Sequence, residues 1–488
     1  MEIQFEQKPV RYLCRTAWGE KTVEETAEIK LPAQEAQPQL LGAWGQSCLM
    51  EKHWSDGAVS VSGGVNVWSL LQGADGIYSV AGWIPFKESW DLHDTQNDGR
   101  VVICAQLKSV DARMTGAGKL IITAQISLYL QALEPCTVNR YVAEQLPEDI
   151  YVQKKTVVAN VPVEVGEKRA AVEQSFTAEE AVRQVLYHRT EPELVECKVL
   201  GDKLVFRGEV RLESLCCGET GDVFLVKETV PVSQYVQLDG EYGSDCMADV
   251  IPVVLTAEAE KKDNGQIEFR ADVLWQYVLH STLELDGITD AYSNRRAVET
   301  EEVQLCVPTL KMCEAVSQET ACAFSSENGT VIDQCIMAGC AEWDERSGNL
   351  RQTGSVRTLF RDGEGQLKSA LLPFEMETPA QQLADGYGVT AWQKHPKAVW
   401  SPQDGICISA QCGVYCMEDG CLPCCKSLTA ADAFDERSKH PSLILRRAGE
   451  EDLWQLAKAC GSSEAAIRSA NGFDGAVEKG RMLLIPVE

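Results

Sequence analysis

The sequence predicts a mainly β protein, made of three tandem β-sandwich-like units of about 145 residues followed by a small α+β tail. Short runs rich in Val, Ile, Thr and aromatic residues alternate polar with apolar positions and are separated by Gly and Asp. This pattern is typical of antiparallel sheets with one buried face. Three markers recur along the chain with one common period, which indicates repeated units. The tail differs, because two runs with helical spacing lie between two strand-like runs.

The three markers set the predicted unit boundaries. The first is a Gly-x-Val step within a strand-like run that later exits through a proline, and it stands at Gly63, Gly208 and Gly354. The second is a glycine turn before an alternating strand, at Gly118, Gly265 and Gly405. The third is a closing motif that begins at Asp149, Asp290 and Asp432. We therefore expect units at residues 1–149, 150–290 and 291–432, a linker at 433–440 and a separate domain at 441–488. The first unit follows the pattern least well.

One short helix is expected inside the second unit, in the run SFTAEEAVRQVLYHR. Thr177 and Glu180 fit a capping box at its start. A helical stripe follows, formed by Ala181, Val182, Val185 and Leu186.

The tail is predicted as strand, helix, helix, strand. SLILRR alternates and predicts the first strand, and GRMLLIPV predicts the last. The first helix is expected to begin after Glu451 or Asp452 and to end at Gly461. Its apolar face contains Leu453, Leu456, Ala457 and Cys460.

The second helix of the tail is expected to use the same signals. Ser462 or Ser463 is the candidate N-cap, and Asn471 with Gly472 is the candidate stop. Ile467 would face the interior.

Net charge and the N-terminal sequence restrict the classes of partner and the compartment. The chain has 45 Lys and Arg against 73 Asp and Glu, for a formal charge of −28. Such a field repels a phosphate backbone and disfavours anionic membranes, so nucleic acid is not an expected partner. The first residues show no basic segment followed by an apolar core, and no run reaches the roughly 18 apolar residues of a spanning helix. We expect a cytoplasmic protein with no integral membrane segment.

No motif predicts catalysis. TGAGKL at residues 115–120 resembles the end of a phosphate-binding loop but lacks the leading glycine and the Ser or Thr after Lys119, so a hairpin turn is favoured. The six histidines are scattered and form no metal-binding motif, and no nucleophile elbow is present. We expect no enzymatic activity, no catalytic residue, no cofactor and no metal.

The cysteines allow three interpretations. There are 20 in the chain, and one cluster contains Cys412, Cys416, Cys421, Cys424 and Cys425. In a cytosolic protein, buried thiols are favoured over a disulfide framework. Metal binding is disfavoured because only one pair has tight spacing. Cross-linking by late oxidation is the third alternative.

The tail closely resembles a LysM domain over residues 443–487. The matching positions are Gly449, Leu453, Trp454, Ala457, Ile467, Asn471, Gly480, Leu484, Ile485 and Pro486. It departs from that family in a first turn lengthened by acidic residues and in Leu443, where an aromatic residue is usual. The lengthened turn alters a loop that forms one wall of the sugar groove in glycan-binding relatives.

The resemblance implies two recognition loops that lie side by side. The candidate partner-binding residues are Gly449, Glu450, Glu451 and Asp452 in the first loop, and Asn471, Gly472, Phe473, Asp474 and Lys479 in the second. Leu453, Trp454, Ile467 and Ile485 are expected to form the core of the tail.

The three upstream units resemble SPOCS domains, through the Gly-x-Val strand, the Pro-Phe exit and the DAYSNR stretch. SPOCS repeats followed by a LysM domain resemble the layout of SipL-like spore coat morphogenetic proteins. That resemblance implies a non-enzymatic scaffold in the mother-cell cytoplasm at the forespore surface and later in the spore coat, with the LysM binding a SpoIVA-like coat ATPase. Self-association of the repeats is left open. The alternative is a protein that binds peptidoglycan or chitooligosaccharide through its tail.

Overall fold

The computed structural model describes residues 1–31, 38–92, 99–115, 118–263, 265–324, 329–379, 387–401, 403–432, 442–473 and 477–487. Within these residues the protein is mainly β, as predicted, with twenty-one strands and two short helices. No helix in the described part is long and apolar enough to cross a membrane.

The strands and helices follow one another along the chain with short connections. In chain order they are β1 (Glu2–Gln4), β2 (Glu6–Lys30), β3 (Gln39–Ser55), β4 (Ala58–Gly73), β5 (Gly76–Asp91), β6 (Arg100–Thr115), β7 (Lys119–Val142), β8 (Ile150–Thr177), β9 (Val182–Gly218), β10 (Val223–Tyr242), β11 (Met247–Lys261), β12 (Gln266–Ser293), β13 (Val298–Cys322), β14 (Thr330–Ala338), β15 (Glu342–Asp344), β16 (Asn349–Arg361), β17 (Leu367–Pro379), β18 (Tyr387–Ser401), β19 (Gly405–Ala430), β20 (Leu443–Arg447), α1 (Leu453–Cys460), α2 (Glu464–Asn471) and β21 (Met482–Pro486).

Three antiparallel sheets share one strand order. In each of these sheets a long strand lies in the middle, with an earlier long strand on one side and a third strand on the other. The orders are β2-β7-β6, β8-β12-β11 and β13-β19-β18. Three further sheets cover them, formed by β3-β4-β5, by β9-β10, and by β16 with β14, β15 and β17. We refer to all of these strands, β1 to β19, as the body, and to residues 442–487 as the tail.

The Gly-x-Val and Pro-Phe sequence markers meet in space. Gly63 of β4 lies opposite Phe86 of β5, and Gly354 of β16 lies opposite Phe374 of β17. A Cβ on either glycine would lie 2.6 Å from the phenylalanine ring on the paired strand, closer than real contacts allow. Packing therefore requires the glycine in these two units, where the Gly-x-Val step and the Pro-Phe pair occur together.

The second sequence marker, a glycine before an alternating strand, lies in hairpin turns. Gly118, Gly265 and Gly405 all have positive φ, at 67°, 79° and 80°, which glycine adopts without strain. Thr115 pairs with Lys119 across the first of these turns. Thr115, Lys119 and Leu120 of the TGAGKL run therefore belong to a β-hairpin, which the sequence favours over a phosphate-binding loop.

The prediction of a helix in the second unit is wrong. The segment is strand on both sides of residues 178–181, since β8 ends at Thr177 and β9 begins at Val182. Leu186 and Tyr187 are both buried, and because adjacent residues of a strand point to opposite faces, both faces of β9 are covered at this point. Burial of a Val- and Tyr-containing run between sheets favours extended backbone, and this tertiary packing overrides the local capping signal.

The N-terminal strand of the chain pairs with the last sheet of the body. β1 pairs antiparallel with the far end of β19, with Ile3 opposite Leu428. The backbone of Met1 also exchanges two hydrogen bonds with Ala430, at 2.6 and 2.8 Å. The first residues of the chain therefore complete the last sheet of the body.

The predicted units share a core. The largest buried cluster contains apolar residues from Val23 to Leu359. At its centre the ring of Trp44 stacks on Tyr187 at 5.1 Å, and the guanidinium of Arg357 lies 5.6 Å from the same indole. These three residues come from β3, β9 and β16, so the body packs as one continuous structure across the predicted boundaries.

Two disulfides in the described residues differ from the favoured interpretation of the cysteines as buried thiols. Cys14 of β2 is bonded to Cys136 of β7, and Cys306 of β13 is bonded to Cys421 of β19. Both bonds connect neighbouring strands, with Cα atoms 5.6 and 4.2 Å apart. The residues are distant in sequence, so strand pairing alone brings their sulfur atoms together.

Candidate functional site

Two capped helices organise the tail. Asp452 caps α1, because its carboxylate accepts a 2.7 Å hydrogen bond from the backbone N–H of Gln455, whose side chain in turn accepts from the Asp452 N–H at 3.3 Å. Ser463 caps α2, because its hydroxyl accepts a 3.2 Å hydrogen bond from the backbone N–H of Ala466. Gly461 and Gly472 end the helices with φ of 64° and 61°. The structure thus selects one residue from each pair of predicted caps.

The predicted core residues of the tail are all buried. Ile467 and Ile485 are fully enclosed, and Leu453 and Trp454 are 8% and 7% exposed. They pack with Leu456, Ala457 and Leu483 between the two helices and the β20-β21 sheet. This small core holds the candidate recognition loops in place.

The two candidate recognition loops lie against each other. Lys479 Nζ of the second loop is 2.5 Å from Glu450 Oε1 of the first, and both side chains are largely exposed, at 71% and 84%. Glu451 is turned toward β20, where it pairs with Arg446 at 2.8 Å. Gly449 is exposed between them. Glu450 and Lys479 therefore form a solvent-facing edge where the described parts of the two loops meet.

Some of the candidate loop residues have structural roles. The side-chain nitrogen of Asn471 donates to the carbonyls of Ile467 and Leu484, at 2.8 and 2.6 Å, and its oxygen accepts from the Leu484 N–H at 2.8 Å. Asn471 therefore connects α2 to β21. The ring of Phe473 lies between Arg468 and Arg481, at 5.8 and 5.1 Å. Asp474 lies outside the described residues.

The opposite side of the tail contacts the body, which the sequence did not predict. The indole Nε1 of Trp454 donates a 2.8 Å hydrogen bond to Asp290 Oδ2. Lys458 Nζ, one turn further along α1, lies 2.7 and 2.9 Å from the two oxygens of the same carboxylate. One aspartate at the end of β12 thus binds two side chains of the tail helix.

Aromatic packing extends this contact. Tyr292 lies edge-to-face with Trp454, with ring centroids 4.8 Å apart, and its hydroxyl donates a 2.8 Å hydrogen bond to the backbone carbonyl of Ser462. Tyr151 of β8 stacks on the other side of Tyr292 at 5.2 Å. Tyr292 is 6% exposed, so the tail covers it together with the Asp290 carboxylate. We call the set Asp290, Tyr292, Trp454 and Lys458 the latch.

A strand irregularity directs Asp290 toward the tail. The register of β12 against β8 shifts between Ile288 and Asp290. A bulge of this kind re-aims a side chain from its regular direction. The backbone N–H of Ala291 also donates to Asp290 Oδ1 at 2.8 Å, which helps to fix the carboxylate.

Electrostatics favour the ionised form of Asp290. Partial burial raises its pKa, but hydrogen bonds from Lys458 and Trp454 lower it by more, so that the net shift is downward. The corresponding Asp149 also has a lowered pKa, because Ser293 and Arg296 donate to it at 3.0 and 2.7 Å and outweigh the effect of burial. The closing motifs of the first two predicted units are therefore adjacent and hydrogen-bonded.

The sequence signal for the latch was present but had another interpretation. Asp290 and Tyr292 belong to the DAYSNR stretch, which served as a repeat marker and as part of the family resemblance. A repeated motif indicates a shared structural element, and no pattern in one chain says which copy contacts a separate domain. In the sequence, Lys458 is an ordinary polar position on the exposed side of an amphipathic helix.

A second cluster of charged side chains lies in the body. Arg189 is buried and binds Asp333 at 2.8 Å as well as Glu213, and the hydroxyl of Tyr187 donates to Asp333. A cleft of about 690 Å³ adjoins this cluster. Lys227 at the cleft wall pairs with Glu213 at 3.1 Å. The charges of this cluster compensate one another, so each buried ion has a partner of opposite sign.

The predicted cysteine cluster contains one disulfide-bonded residue and several buried cysteines without a disulfide. Cys416, Cys424 and Cys425 are buried and are not disulfide-bonded, while Cys421 is bonded to Cys306 and the side chain of Cys412 lies outside the described residues. Burial raises the pKa of Cys425 to about 11. Among the described residues, no three His, Cys, Asp or Glu side chains are grouped as a metal site would require.

Comparison with known proteins identifies one segment. Residues 181–261 match the family model described as "SipL, SPOCS domain". This stretch comprises β9, β10 and β11 and lies within the predicted second unit. The chain is thus similar over this segment to sporulation-related proteins of the SipL type. No curated protein and no solved structure matches the chain.

Proposed function

We propose that this protein is a non-enzymatic scaffold of spore coat assembly, of the SipL type. The observation that carries the proposal is the SPOCS match at residues 181–261, in a β-rich body that is followed by a strand-helix-helix-strand tail. The order of these two parts is that of SipL-like morphogenetic proteins. The body would be three SPOCS repeats, and the tail would be a LysM domain.

The arrangement of charges supports a binding role. The most strongly buried ionisable cluster, around Arg189 and Asp333, pairs its charges internally. A catalytic group needs an accessible reaction partner and a suitable protonation state, whereas these side chains are committed to each other.

The tail is the proposed recruiting module. Its two loops form an exposed edge through Glu450 and Lys479, and the partner proposed for them is a SpoIVA-like coat ATPase at the forespore surface. The latch holds this module on the body. Several copies of the scaffold on a polymerising surface would then raise the effective concentration of each weak contact.

The test is a titration of the full chain against the SpoIVA-like ATPase of the same organism and, separately, against N-acetylglucosamine oligomers. The variant E450A/K479A removes the loop ion pair, and E418A/K311A removes an exposed pair of the body as a matched control. We expect micromolar or tighter binding to the ATPase, weakened by the loop variant only. Binding to the sugar alone would overturn the proposal and favour a glycan-binding protein.

A further inference from the structure

The face of α1 that carries Trp454 and Lys458 is a built interaction surface with a recognisable ligand. It provides an indole N–H donor, an ammonium group one turn away and the edge of an aromatic core. In the folded chain these groups are satisfied by one carboxylate and one tyrosine ring, two positions apart on a strand. The complementary ligand is therefore an Asp-x-Tyr segment in extended conformation.

The chemistry of the pair is selective. Both oxygens of Asp290 accept hydrogen bonds from the charged Lys458 ammonium, and charge-assisted bonds of this type are stronger than neutral ones. Tyr292 adds an edge-to-face contact and a hydroxyl bond to the end of α1. An Asn in place of the Asp would lose the ionic component, and an Ala in place of the Tyr would lose the ring contact.

We propose that the α1 face of the tail is a binding surface for an Asp-x-Tyr strand segment, and that residues 290–292 occupy it in cis as an internal ligand. Any external partner that uses the Trp454 face must displace this segment, whereas a partner that uses the Glu450 and Lys479 edge need not. The statement about an external partner rests on the proposed function. The docking of residues 290–292 in cis does not.

Occupancy in cis is tested on the full chain by oxidative footprinting with mass spectrometry. Trp454 and Tyr292 are 7% and 6% exposed when docked. In D290A we expect the oxidation rate of both side chains to rise several-fold, while Phe473 of the tail and Trp275 of the body keep their wild-type rates. The control is D286A, which removes an exposed aspartate of the same strand that binds Thr156 at 2.6 Å.

Two outcomes would overturn docking in cis. One is equally fast oxidation of Trp454 in the wild type and D290A, and the other is an equal rise in D286A. Y292F provides a second variant that keeps the ring and removes only the hydroxyl bond to Ser462. It should give an increase smaller than that of D290A.

Competition is tested separately by titrating the wild type and D290A with the SpoIVA-like ATPase. Because the proposed partner binds the Glu450 and Lys479 edge, which does not require displacement of residues 290–292, we expect equal affinity of the two chains. Tighter binding by D290A, by about tenfold for the loss of a competing charge-assisted contact, would overturn that assignment and place the partner on the Trp454 face. Absence of binding by both chains would overturn the proposed function, while the footprinting result would stand.

Discussion

The indole of Trp454 and the carboxylate of Asp290 form a 2.8 Å hydrogen bond between residues 164 positions apart. This contact attaches a small capped tail to the end of a long body strand. Trp454 is therefore both a core residue of the tail and part of an interface, so a single substitution can affect folding, docking or both.

Two substitutions of Trp454 separate these roles. W454A removes the whole ring and should cost the tail about 3–5 kcal/mol through the cavity, enough to unfold it. W454F keeps an aromatic ring but lacks the Nε1 donor, so the tail should stay folded and be released more readily. Hydrogen exchange of α2 measures folding, and oxidation of Tyr292 measures release. Fast exchange of α2 in W454F would contradict this separation.

Acid should weaken docking. The docked pKa of Asp290 is lowered by Lys458 and Trp454 despite partial burial, so its contribution is fully present above the undocked value of about 4 and is lost as pH falls through the docked value. The neighbouring Cys425 thiol, with a pKa raised to about 11, stays neutral in this range. Footprinting of Tyr292 between pH 7 and pH 3 should show the change. In D290N the same titration should be flat.

Removal of Asp333 should destabilise the body. Its carboxylate is completely buried and binds Arg189, so D333A leaves a buried guanidinium without one of its two main partners. We expect a loss of about 3–5 kcal/mol in the free energy of unfolding. E375A, which removes the exposed partner of Arg351, should cost no more than about 1 kcal/mol. Chemical denaturation of both variants provides the comparison, and similar midpoints would contradict a structural role for the buried pair.

His188 should make stability depend on pH. It lies between Trp68 and Phe269, and burial lowers its pKa to about 4. Between that value and the ordinary value of about 6.5, the unfolded chain binds a proton that the folded chain does not, so stability falls as pH falls. The loss should approach about 3 kcal/mol at pH 4. H188Q should reduce this slope when denaturation is followed from pH 7 to pH 4, and an unchanged slope would point to other groups.

The Cys14–Cys136 bond should stabilise the oxidised protein. It joins residues 122 positions apart, so it restricts the unfolded chain strongly. C14S should lower the free energy of unfolding by about 2–4 kcal/mol without reductant and by much less with dithiothreitol. C48S, at a free thiol, is the control for loss of a sulfur atom. Wild-type unfolding that is unaffected by reductant would mean that the bonds are not formed in solution.

Much of the fold follows from local sequence. Alternating runs predicted the sheets, because one buried face imposes a period of two on each strand. The glycines at 118, 265 and 405 predicted turns because positive φ excludes most other residues. Likewise, Asp452 and Ser463 are recognisable caps, since an N-cap needs only a short acceptor side chain next to the helix start.

Other features depend on residues that are far apart in the chain. The run after Thr177 has the local signals of a helix, yet burial of Leu186 and Tyr187 between sheets made it a strand. The same holds for the cysteines, because pairing of β13 with β19 places Cys306 opposite Cys421 and no spacing rule indicates that partner.

The sequence by itself therefore determined the β-rich class, the turns, the helix caps and the small core of the tail, all of which depend on neighbouring residues or on a short period. Only the tertiary structure decided that the predicted units share one core and that the tail is held at Asp290 and Tyr292. Those contacts arise from the packing of separate strands and helices, and the energy of such packing depends on positions in space that no local pattern specifies.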